Sequence, residues 1–119
     1  MSKRKHIAAI AREIADALIQ AFSLAGLNAG ILFCQSKRTN SFYLAIQLLD
    51  SSGRRIKNAG AQIRISDHRR PGDRWINYSK PARRIYGVWV YSAPWQIADK
   101  IERIVRQIRN RFHRKGGAA

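Results

Sequence analysis

Acidic residues are scarce: seven Asp and Glu stand against 23 Lys and Arg in 119 residues, a net charge of +16 at pH 7. That excess excludes an ordinary neutral domain and points to a polyanionic partner, although it says nothing about fold. Cysteine is scarcer still. Cys34 stands alone, so no internal disulfide can form and a cysteine-rich zinc site is excluded, which fits a reducing, cytoplasmic setting. Long apolar runs are missing, and no uninterrupted stretch approaches the ~20 residues of a membrane helix. The first residues, Lys3-Arg4-Lys5 and then an apolar pattern, have the outline of a signal peptide. Arg12, Glu13 and Asp16 break its apolar centre, so neither a leader nor a membrane partner is expected. Asn77-Tyr78-Ser79 matches a glycosylation sequon, read as coincidence without a secretory signal. Catalytic signatures are also missing: there is no Gly-rich phosphate loop, no His-x-x-x-His and no Cys-x-x-Cys, and His6, His68 and His113 are scattered. No enzyme, cofactor or metal site is expected.

What is present reads as one folded domain. Hydrophobic residues are 45% and charged residues 25%, a globular balance over a length that suits a single core. Residues 1–6 read as a basic N-terminal arm, 7–113 as a single α+β domain, and 114–119 as a flexible C-terminal tail. Ile7, Ile10, Ile14, Leu18, Ala21 and Phe22 recur at helical spacing until Gly26. Ile31-Leu32-Phe33-Cys34 suits a short strand or an apolar connector equally. Phe42 to Leu49 alternates as a strand, and Asp50-Ser51-Ser52-Gly53 makes a hairpin turn. The return strand covers roughly 54–66, with Gly60 as a bulge, and a third strand covers Ile85 to Tyr91. Between them, 67–84 is a long loop punctuated by Pro71-Gly72 and Pro81; loops of that length are usually functional or disordered. Ser92-Ala93-Pro94 starts a second helix whose apolar face runs Ile97, Ala98, Ile101, Ile104, Val105, Ile108 and Phe112. The order is α-β-β-β-α. It predicts a three-stranded antiparallel sheet with two amphipathic helices packed on one face.

Charge is uneven: residues 1–50 carry a net +3 and residues 51–119 a net +13. On the second helix, Arg103, Arg106 and Arg109 fall away from the apolar face and form a stripe suited to a phosphate backbone. In the long loop, Arg69, Arg70 and Arg74 stand beside His68 and Trp75. Arginine favours phosphate because its planar fork binds two oxygens at once. Trp75 is expected to be buried and to pin the loop, as an indole usually is. On the sheet, Tyr43, Trp89 and Tyr91 share a face with Gln47, Gln62 and Arg64. Such a face can stack bases, but the long loop is expected to fold across it and cover the aromatics.

The same element order suits metal-dependent nucleases, which need an acid at one strand end and an acid and a lysine on the next. Asp50 ends the first long strand, but the second offers Gln62-x-Arg64, which supplies no metal ligand at 62. The order also resembles that of the double-stranded RNA-binding domain. That family reads phosphates with lysines at the start of its last helix. The corresponding stretch here is Pro94-Trp95-Gln96-Ile97-Ala98-Asp99-Lys100, so none of its site residues is carried over. The expected function is a non-enzymatic, cytoplasmic nucleic-acid-binding protein, for DNA or RNA, of bacterial or mobile-element origin. Its contacts would come from Arg103, Arg106, Arg109, Arg69, Arg70, Arg74, Arg64 and Trp89. The competing expectation is a small basic inhibitor or adaptor, encoded for example by a phage, that occupies an acidic or nucleic-acid-loaded surface of a larger complex.

Overall fold

The computed structural model describes residues 3–36, 41–68, 70–76 and 83–112. The chain opens with helix α1, Lys3–Leu24, so Lys3 to His6, expected as an arm, already belong to the helix. Ile7, Ala11, Ile14, Ala15, Leu18 and Phe22 turn one stripe inward. The helix ends in a paired cap. Leu27 N–H donates to the Phe22 carbonyl at 2.8 Å and Gly26 N–H to Ser23 at 3.0 Å. Gly26 sits at a φ of 80°, which only glycine adopts cheaply.

Five strands follow: β1 Asn28–Gln35, β2 Ser41–Leu49, β3 Arg55–Ser66, β4 Arg74–Ile76 and β5 Arg83–Trp89. The chain closes with helix α2, Pro94–Phe112. The α+β class stands, but the three-stranded antiparallel sheet does not. The sheet has five strands in the order β1-β2-β3-β5-β4, and β3 pairs with β5 in parallel. The resemblance to the double-stranded RNA-binding domain rested on element order and lapses with it.

Two physical reasons account for the difference. Ile31 to Cys34 is a true strand, hydrogen-bonded along its length to β2. The long connection after β3 is long because a parallel neighbour requires the chain to cross back before it can run the same way again. On the way it contributes β4, antiparallel to β5, where a structureless loop was expected.

Both helices cover one face. Leu44, Ile46 and Leu48 of β2, Ile63 and Ile65 of β3, and Tyr86 and Val88 of β5 meet the α1 stripe and Ile101, Ile104, Val105 and Ile108 of α2 in one cluster. The register between β2 and β3 shifts between Gln47 and Leu49, and Gly60 lies beside that shift. A methyl group on Gly60 would stand 2.9 Å from the Ile46 carbonyl oxygen, closer than neighbouring strands allow. No helix among the described residues is long and apolar enough to cross a membrane.

Candidate nucleic-acid interface

The sheet face away from the helices is set by strand register. Tyr43 stands opposite Arg64, Ala45 opposite Gln62, and Gln47 opposite Gly60. Ser66 aligns with Trp89, and Gln62 with Ile85. Arg74 of β4 aligns with Ile85 on the other side. Because residues paired across a ladder share a face, Tyr43, Gln62, Arg64, Arg74 and Trp89 belong to one surface. Arg64 is oriented on it by an Nε donation to Ser41 Oγ at 3.3 Å.

At the end of β5 the surface becomes aromatic. The Trp89 and Tyr91 rings meet edge to face at 5.2 Å, and the Arg70 guanidinium lies 4.9 Å from the Trp89 ring centre. Tyr91 is 55% exposed and Trp89 half-buried, so the expected cover over this face is only partial. The reason is the path of the connection, which packs against β5 at Gly87. A methyl group on Gly87 would collide with the Pro71 backbone, so the chain passes here only because residue 87 has no side chain. Beside this contact a cleft of about 220 Å³ is lined by Arg70, Pro71, Trp89, Ser92, Gln96 and Lys100, among others.

Asp73 fastens that path. Its Oδ1 accepts from Gly87 N–H at 2.9 Å and from Lys100 Nζ at 3.0 Å, and its Oδ2 from Arg103 Nη2 at 2.7 Å. Arg84 Nη2 stands 3.8 Å away. Burial pushes the Asp73 carboxyl up, but the Gly87 N–H, Lys100 and Arg103 outweigh it and hold the group below its ordinary value. These partners were not legible in the sequence, because Asp73 lies far from Lys100 and Arg103 along the chain.

The helix stripe is therefore divided. Arg103, expected as a free phosphate contact, is tied to Asp73 and only partly exposed, whereas Arg106 and Arg109 are exposed. α2 packs on the sheet through its apolar side, so Arg106 and Arg109 face away from the sheet surface that carries Arg64, Arg74 and Trp89. The sequence-predicted residues thus form two groups on opposite sides of the domain. Arg69 lies outside the described residues.

Trp75 also departs from expectation. It is 51% exposed on β4, with the Arg84 and Arg111 guanidinium groups 5.6 and 5.9 Å from its ring. The sheet edge, rather than the core, receives it. Tyr86, on the helix side, donates its hydroxyl to Gln107 Oε1 at 2.8 Å. Burial raises its phenol above the usual value against the pull of Arg111 and Arg84, so it does not titrate near neutrality.

Asp50, the one carboxylate at a strand end that a nuclease site would use, is spent on the hairpin. Its Oδ1 accepts from the Ser52 hydroxyl at 2.7 Å and from the backbone N–H groups of Ser52 and Arg54. The Ser52 hydroxyl, first among these donors, holds its carboxyl below the ordinary range. Gln62 pairs with Ala45, five residues back along β2, which is about 17 Å at strand rise. Among the described residues no three His, Cys, Asp or Glu side chains come together as a metal site would need.

No known family model matches the chain, and comparisons with curated proteins and with solved structures gave no match either.

Proposed function

We propose that this protein is a non-enzymatic nucleic-acid-binding domain whose arginines neutralise phosphates and whose Trp89–Tyr91 pair, flanked by Arg70, offers a stacking platform for a base. The observation that carries the reading is how the acids are placed. The net charge is +16, and of the seven carboxylates Asp73 is enclosed by Lys100 and Arg103, Asp50 is taken up by its own turn, and the Asp67 side chain is only 3% exposed, while the exposed Glu13, Asp16, Asp99 and Glu102 all lie on the two helices. The outward-facing cations Arg70 and Arg74 are therefore offset least, whereas Arg106 on α2 has the exposed Glu102 one turn before it. Arg70 and Arg74 sit on a connection already fastened by Asp73, so less of their ordering has to be supplied on binding. The sheet and edge group is the better candidate for reading bases. Arg106 and Arg109 are suited to phosphate alone.

The experiment is equilibrium binding to a bare oligonucleotide across a salt series. Neutralising about five phosphates of a duplex gives a slope of log K against log salt near −4 to −5. A slope shallower than about −1 removes phosphate neutralisation as the source of affinity. Failure to hold any oligonucleotide at physiological salt, with the fold intact, favours the basic inhibitor or adaptor instead.

A further inference from the structure

Residues 17–36 contain no charged side chain in a chain of net charge +16, a neutral stretch that runs from the second half of α1 through the whole of β1. β1 is the first strand of the sheet order. One of its edges is bonded to β2 in an unbroken register from Asn28 to Gln35, and the other meets no strand among the described residues. Free strand edges are normally blunted by Lys, Pro or a bulge. β1 has none of these. Instead it exposes Leu32 at 69% and Phe33 at 44%, beside a helix that exposes Ile19 and Leu24.

We infer that β1 is a self-association edge: two copies pair their β1 strands antiparallel about a two-fold axis and join their sheets into one. Charge selects this occupant. The strand itself carries no cation for a polyanion or an acidic strand, and Arg12 of α1, whose guanidinium lies 5.6 Å from the Phe33 ring centre, stands on the helix side of it. Two copies of so basic a chain repel wherever charged surfaces meet, and this edge is where they can approach with no charge on the meeting strands. The strand is also self-complementary, because an isologous contact places the same uncharged residues on both sides. Its length of about 27 Å at strand rise, with a wall one sheet and one helix thick, comes to roughly 500 Å² per partner. That is at the small end of specific interfaces, so a weak, concentration-dependent dimer is expected.

The test is sedimentation of the full chain, free of nucleic acid, from about 1 to 200 µM. A monomer–dimer equilibrium that tightens several-fold between about 0.1 and 0.5 M salt is expected, because screening relieves repulsion between the two bodies. That direction is opposite to the salt dependence of nucleic-acid binding, so the two readings fail separately. Leu32→Lys/Cys34→Lys changes two exposed residues of the edge. It is expected to weaken association at least ten-fold, with an unchanged melting curve. In the parent, amide exchange over 28–35 is expected to slow with protein concentration at alternate residues. A chain monomeric throughout at high salt overturns the inference. So does a dimer that persists in the folded double variant, or one that leaves exchange over 28–35 unaltered.

Discussion

Asp73→Asn keeps the side-chain shape and removes one charge from the middle of a cluster. In the parent that carboxylate accepts from Gly87 N–H, Lys100 and Arg103, and its side chain is 14% exposed. Removing one partner of a fully buried pair costs about 3–5 kcal/mol. Here Arg103 is 40% exposed and Lys100 23%, so solvent screens part of the interaction. The asparagine oxygen can still accept from one donor, and the expected loss is about 1–3 kcal/mol. For a chain of this length that lowers the melting temperature by roughly 4–12 °C.

The pH dependence has a definite sign. A carboxylate held below its ordinary value of 3.8 contributes its full stabilisation above that value and loses it as pH falls through the lower folded-state value. The gap between parent and variant is therefore constant from pH 7 to about 5 and closes in the acid range below 3.8. Measuring the difference between the two proteins cancels the other carboxylates, Asp50 included. The assay is thermal unfolding by circular dichroism over that range, with amide exchange on 70–76. A melting temperature within about 1 °C of the parent at pH 7 would refute the claim that Asp73 fastens the connection.

Gly87→Ala drives a methyl group into the Pro71 backbone, and overpacking of this kind costs about 1–3 kcal/mol; the melt falls, and exchange at 70–73 rises as the connection lifts from β5. The arginines of α2 separate by role. Arg106→Ala/Arg109→Ala leaves stability within about 0.5 kcal/mol and weakens oligonucleotide binding with a shallower salt slope, whereas Arg103→Ala lowers the melting temperature, because its guanidinium bonds Asp73. Trp89→Leu removes the ring under Arg70 while keeping an apolar side chain. Loss of one stacked base weakens single-stranded oligonucleotide binding by about 1–3 kcal/mol, read by fluorescence anisotropy at fixed salt, and unchanged affinity in a folded variant argues against the stacking platform.

The sequence alone determined both helices, the Phe42–Leu49 strand with its Asp50 turn, and the alternation that sets Gln62 and Arg64 on one side of their strand and Ile63 and Ile65 on the other. Those features follow from local period and turn chemistry, which every short window of the chain carries. Tertiary structure decided the rest. Whether Ile31 to Cys34 is a strand depends on β2 being beside it, since four apolar residues have no period of their own. Whether Ile85 onward runs parallel to β3 depends on where the connection crosses, and residues 67–82 carry no mark of direction. Arg103 looks like Arg106 and Arg109 from its place on the helix, and only the arrival of Asp73 from the sheet edge turns it from a surface cation into a structural tie. A charge's function depends on what stands within a few ångströms of it, and a pair thirty residues apart in sequence is brought together only when the core closes.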